Sequence, residues 1–354
     1  MFCKRILFIL VLAFVAAPSS ASASAHEEEA FNAGEMIISH ILDNHEWHIM
    51  TIGDKHIAIP LPVLLIHNGK LHAFMSSKFH HGTQDYRGFR LMTEGQYNGK
   101  VVHINTSGEI SEKLPIDLSI TKNTFSLFFV AFLLLFTFVN VAKTYQKRGS
   151  NQAPTGFQNM IETVILFIRD DVAKIAIPEK YISRYLPYLL TLFFFILFCN
   201  LLGLVPFFPG GANVTGNIAV TLVLAVFTFL ITTFSGKRAY FQEIFNHPVA
   251  PWWIKFPIPL LPVIEIMGLF IKPFVLMIRL FANIMAGHII MLGLICLIFI
   301  FGQMNVFMGY GSSVLSIAFA LFISVLELIV AFIQAFIFTL LTGFYIGAAV
   351  QEEH

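Results

Sequence analysis

The sequence predicts an all-α polytopic membrane protein: about five transmembrane helices, one interfacial amphipathic helix, and a small β-rich exported domain at the N-terminus. Three observations lead there. Of 354 residues, 56% are hydrophobic and only 12% charged, with a mean hydropathy of +0.75; a soluble domain carries about a quarter charged residues. Several apolar runs reach twenty residues, long enough to cross a bilayer. Ten of the thirteen histidines fall in residues 26–118, a polar stretch unlike anything after it. A formal net charge of +1 argues against a nucleic-acid partner. Cys3, Cys199 and Cys296 show neither a disulfide framework nor zinc-type spacing. No cofactor or metal is expected, and no phosphate-binding Gly-rich loop is present.

Residues 1–25 read as a secretory signal. Lys4 and Arg5 form a basic n-region, ILFILVLAFVAA (6–17) a short apolar core, and Ala23-Ser24-Ala25 fits an A-x-A cleavage site. Twelve apolar residues span a bilayer poorly, which favours cleavage over a retained anchor. Residue 26 then begins outside the inner membrane of a bacterium. In the β-rich domain, 26–118, IAIPLPVLLI (57–66), Asn68-Gly69 and LHAFMSS (71–77) resemble a hairpin with a type I′ turn. Asn98-Gly99 before KVVHI (100–104) repeats the cue. His45, His48, His80 and His81 are read as scattered surface histidines rather than metal ligands, because no Cys or acidic cluster accompanies them.

The membrane domain, 119–354, opens with FSLFFVAFLLLFTFVNVA (125–142). Lys143, Lys147 and Arg148 follow it and place that end in the cytoplasm by the positive-inside rule. In 156–176, Phe157, Met160, Ile161, Val164, Ile165, Ile168, Val172 and Ile175 share one helical face, as an interfacial amphipathic helix would. A span at 186–208, a Pro-Gly-rich turn (209–216) and a return span at 217–234 end at Lys237 and Arg238, again inside. From Pro259 to Phe301, and again from Ser312 to Val350, the apolar pattern runs on about as long as a 60 Å helix, roughly twice the hydrocarbon thickness. With no charged or turn cluster to split either run, two long, steeply tilted helices hairpinned at 302–311 fit best. Pro273 is expected to bend the first rather than end it.

Ionisable groups are few in those two helices: Glu265, Lys272, Arg279, His288 and Glu327. Glu265, Lys272 and Arg279 are spaced by seven and share a stripe, which Asn283 continues; Glu327 and Gln334 are likewise seven apart. Glu265 and Lys272 could simply pair, and His288 could be a satisfied core group. Arg279 is harder to dismiss, because an arginine at bilayer depth costs at least a few kcal/mol and such residues face water or a counter-charge. A mobile carboxylate on another protein would fit: a permanent cation lowers the pKa of an arriving acid and forces it to release its proton.

With these residues in view, the segment RLFANIMAGH (279–288), IPLLPVIE (258–265) before it and IQAFIFTLLTGFYIGAAVQEEH (333–354) at the end resemble subunit a of the F-type ATP synthase. NVT (213–215) and the Phe157, Asn159, Glu162 pattern are weaker supporting matches. The resemblance covers residues 120–354. It implies a non-catalytic, proton-translocating stator subunit in the cell inner membrane, whose last two helices pack on a rotating ring of c subunits. It implies two offset half-channels separated by Arg279, with Asn283 and Gln334 flanking it and His288 with Glu327 in the exported-side channel. That acid and base are exchanged relative to many bacterial members. Glu265 would lie nearer the cytoplasmic exit. The implied partners are the c-subunit ring, b-type peripheral stalk subunits, the remaining ATP synthase complex and the lipid bilayer. The resemblance assigns nothing to residues 26–118. A secondary transporter would need internal repeats, which the sequence lacks, and a plain membrane anchor would leave Arg279 unexplained.

Overall fold

The computed structural model of the chain describes residues 32–52, 55–92, 97–105, 110–111, 113–148, 154–205, 208–245 and 260–351. The signal-peptide reading of 1–25 and the family-like residues 258–259 and 352–354 lie outside them.

Among the described residues, the polar first third holds one short α-helix, a 3-10 helical turn (Ser76–Gly82) and three small antiparallel sheets. Helix α1 (Ala33–Ile41) lies within what the sequence suggests to be purely strands and turns. Strand β1 (Glu46–Ile52) pairs with β2 (Lys55–Pro60). Strand β3 (Pro62–His67) lies between β4 (Lys70–Met75) and β7 (Ile116–Asp117), and β5 (Phe89–Leu91) pairs with β6 (Val101–His103). The expected hairpin forms at Asn68-Gly69, whose φ values of +49° and +74° are both left-handed, as a type I′ turn demands. Its first arm is shorter than the apolar run, however. Pro60 and Pro62 cannot donate to a ladder, so 57–66 breaks there and β2 and β3 join different sheets. The inward side chains Val63, Leu65, Phe79, Phe89 and Val101 form the core.

His45 departs from the surface reading. It is buried, and its Nε2 lies 2.8 Å from Asp117 Oδ2. Burial opposes the charged form of Asp117, but hydrogen bonds from His45 and Ser119 outweigh it and hold the carboxyl below its ordinary value. Trp47 is buried too. It packs among Val130, Cys199, Ala212 and Val214 and edge-on against Phe125 and Phe208, so β1 is seated on the segments that follow.

Those helices are α2 (Lys122–Arg148), α3 (Phe157–Phe167), a π-helical stretch (Ile168–Ala173) leading into α4 (Lys174–Ala176), α5 (Glu179–Leu204), α6 (Ile218–Ser235), α7 (Arg238–Phe245), α8 (Leu260–Met304) and α9 (Val306–Val350). Five of them are long and apolar enough to cross a membrane. Asp43 caps α2, accepting from Asn123 N at 3.0 Å and Thr121 Oγ1 at 2.8 Å; Asn217 caps α6. Helix α5 starts earlier than Leu186 because its first turns carry the polar Glu179, Lys180 and Arg184. Its Leu189, Phe193 and Ile196 lie at the centre of the core with Ile161, Val172, Leu280 and Phe338.

Two further expectations are modified. The apolar face predicted for 156–176 is divided: Ile161, Ile168 and Val172 are buried in protein, whereas Phe157, Met160 and Ile175 point outward and Gln158 is buried. An apolar surroundings allows both sides of such a helix to be greasy. The hairpin at 302–311 is tighter than its Gly, Asn and Gln suggest, since only Asn305 leaves the helical conformation. Its side chain accepts from Phe307 N at 2.9 Å and starts α9 at once. Gly302 and Gly309 serve closeness rather than turning: a Cβ on Gly309 would lie 2.8 Å from Gly302 Cα. Helix α8 continues through Pro273.

Gly347 makes a similar approach, where a Cβ would lie 1.8 Å from the backbone oxygen of Ala176. Backbone cannot swing aside as a side chain can. Gly347→Ala is therefore expected to destabilise the protein by about 3 kcal/mol, as overpacking does, and to lower its thermal midpoint in detergent. An unchanged midpoint would show that α4 and α9 do not meet this closely.

Candidate functional site

The long hairpin divides its polar groups: His288, Glu327 and Gln334 lie on buried lines, whereas Arg279 and Asn283 lie off the buried line of α8. On α8, Leu276, Leu280 and Ile284 are buried at a four-residue spacing, and His288 and Leu292 extend that buried line. On α9 the buried line is Glu327, Ala331, Gln334, Ala335, Phe338 and Thr339, small enough for α5 to pack closely. Glu327 and Gln334 thus face the same way, as their spacing predicts.

His288 and Glu327 come together. His288 Nδ1 lies 3.7 Å from Glu327 Oε1, with both side chains about nine-tenths buried. That separation is too long for a hydrogen bond, and neither His288 Nδ1 nor either Glu327 oxygen has a partner among the described residues. A cavity of about 10 Å³ adjoins them, also lined by Asn283 and Asn200, which is room for about one water. Gly287 makes the approach possible, since a Cβ there would lie 2.3 Å from Glu327 Oε1. Asn200 is held by its amide: Nδ2 donates to Ala331 O at 3.0 Å and Oδ1 accepts from Thr215 Oγ1 at 2.7 Å.

Arg279 is half-buried, and among the described residues it has neither a hydrogen bond nor a carboxylate within ion-pair distance. Asn283, one turn on, is exposed beside it. Toward the start of α8, about 10 Å along the axis, Lys272 does not pair with Glu265; its Nζ lies 5.8 Å from the centre of the Tyr345 ring. Lys272 and Tyr345 line a second small cavity with Thr228, Thr232 and Tyr240. Glu265 lies farther on, where its charge acts on Tyr240 of α7. Along α8, Arg279 thus lies between two small cavities that each include a few polar side chains. His288 and Glu327 line one, Lys272 and Tyr345 the other.

The profile of the ATP synthase A chain family matches residues 124–347, well over half of the chain. The chain belongs to that family. Curated relatives agree. It is 46% identical over 244 residues to ATP synthase subunit a of Chloroherpeton thalassium, covering 67% of this chain and 68% of that one. With the Pelodictyon phaeoclathratiforme subunit a the identity is 39% over 350 residues, 97% of this chain and 84% of the relative. The Myxococcus xanthus subunit a is 43% identical over 249 residues, 68% of this chain and 75% of the relative. A domain of unknown function matches residues 36–122. As a member of the ATP synthase A chain family, the chain is a multi-pass membrane protein of an ATP synthase complex.

Within this frame, sequence reasoning named Arg279, Asn283, His288, Glu327, Gln334 and Glu265. It left Asn200 open, although a polar amide inside an apolar span was the available signal. Gly287 lies inside the quoted segment RLFANIMAGH but was given no role there, and nothing local marks Tyr345.

Proposed function

We propose that the chain is the stator side of the proton path, with two half-channels facing a rotating ring of c subunits. Residues 1–25 direct export, 26–118 form a periplasmic domain, and 119–354 form the membrane domain, with the C-terminus in the cytoplasm. A proton arrives from the periplasm through His288 and Glu327, an acid and a base whose protons exchange readily. It neutralises a ring carboxylate, which then turns into lipid. After nearly a full rotation that carboxylate returns and loses its proton past Lys272, Tyr345 and Glu265 toward the cytoplasm. Arg279 stands between the two routes. It repels protons attempting to cross directly and favours the ionised ring carboxylate as it arrives. Asn283 and Gln334 flank it as polar neighbours. The membrane potential contributes about 2.3 kcal/mol per charge per 100 mV. Nucleotide chemistry belongs to other subunits, and b-type subunits hold this one against rotation.

One observation supports the reading: a half-buried guanidinium that has no hydrogen bond and no carboxylate in reach among the described residues, lying along α8 between two small cavities. His288→Ala tests the uptake arm. It is expected to slow proton uptake from the periplasm about tenfold, below the full contribution of a positioned proton-transfer group because water still relays part of the flow. Assembly with c and b subunits, read by copurification, should be retained. Native uptake in that variant would remove His288 from the path.

A further inference from the structure

We propose that the β-rich domain is the antechamber of this path: its first helix and strand wall a cavity that delivers protons to His288. The inference rests on the uptake route proposed above and gives a function to residues 36–122.

The cavity, about 140 Å³, has His40, Glu46 and Trp47 on one side and Lys122, Gly203 and His288 on the other. His288 also lines the inner cavity beside Glu327. The two spaces therefore share His288 and Leu204 as a common wall, with one reaching the domain and the other reaching Glu327 and Asn283. A proton reaching His288 from the domain side passes an imidazole and a carboxylate that can hold it, set among Leu204, Met291 and Leu292, and the cation in the same wall, Lys122, has the Asp43 carboxylate acting on it.

The wall is built firmly. Lys122 N donates to Asn44 O at 3.0 Å, and Lys122 Nζ reaches His40 O at 3.3 Å. Asp43 caps α2, and Trp47 is buried with Val130 of α2, Cys199 of α5 and Ala212 and Val214 of the turn after α5. At the far edge Met36 of α1 touches Cys296 of α8, sulfur to sulfur at 3.7 Å. Opposite, Gly210 of the same wall sits close against α5, where a Cβ on it would lie 2.8 Å from Leu202 O. A domain that merely hung from the membrane would need none of these contacts.

The test uses the whole ATP synthase in right-side-out vesicles, with ATP synthesis driven by an imposed pH gradient. His40→Cys places a thiol at the exposed rim of the cavity. A bulky, impermeant, disulfide-forming reagent added outside is expected to slow synthesis several-fold, and reduction to restore it in the same vesicles. Recovery on reduction shows that the complex stayed assembled. The chain without the new cysteine, whose Cys199 and Cys296 are buried, should not respond. Asn44→Cys offers a second site on the same wall should His40→Cys fail to assemble. Full modification without slowing overturns the proposal, and so does a thiol that the reagent cannot reach. If His288→Ala slows uptake while the labelled cysteine does not, the antechamber falls and the path stands; if His288→Ala is silent, the path reading itself has failed.

Discussion

Arg279→Ala is expected to abolish proton-driven ATP synthesis while the complex still assembles. The second half of that expectation is the unusual one. Deleting one member of a buried ion pair commonly costs several kcal/mol, because the abandoned partner stays behind. Arg279 has no such partner among the described residues, so its removal orphans nothing, and replacing a guanidinium at membrane depth with a methyl group makes insertion easier. Any loss is then functional rather than structural. Without the cation, the returning acid keeps its proton, and the barrier between the two cavities falls. Vesicles bearing this variant should make no ATP from an imposed gradient and should leak protons passively. Arg279→Lys keeps a charge but one that can be lost in an apolar setting, so partial activity at best is expected. Coupled synthesis by Arg279→Ala would refute the proposed role outright.

Glu327→Gln should come next in severity. The amide has nearly the same shape, so the close contact with Gly287 and the small-residue packing of α9 survive. What disappears is the ability to take and release a proton at physiological pH. Uptake from the periplasmic side is expected to fall by about a hundredfold, the low end of what a positioned acid or base supplies, measured as initial rates after an acid pulse. Rates equal to native would place the proton elsewhere and leave Glu327 as a packing residue.

The long-range parts of the fold were legible because they follow from hydropathy alone: two uninterrupted apolar runs, basic residues after the spans, and a polar stretch set apart at the start. Misreadings came where one residue type serves two ends. Gly302 and Gly309 look like turn residues, yet they let two helix backbones touch. His45 looks like a surface histidine until Asp117, far along the chain, arrives beside it. Residues 57–66 look like one hairpin arm, yet Pro60 and Pro62 interrupt it, and which sheet each half joins depends on pairings no local pattern encodes. At the site, the sevenfold spacing placed Arg279 on its stripe, and the cost of burying it pointed to an external acid. The meeting of His288 with Glu327 came from family resemblance, since their proximity depends on how one helix folds back on the other.

That folding back has a consequence for evolution. With Asn305 alone between α8 and α9, no slack separates the two arms, and Gly302 against Gly309, Met291 against Ser324 and Gly287 against Glu327 act as successive marks on a ruler. One residue gained or lost between His288 and Glu327 would slide an arm by about 1.5 Å and rotate it by roughly 100°, carrying the carboxylate away from the imidazole. Substitutions can accumulate across this stretch, but its length is quantised.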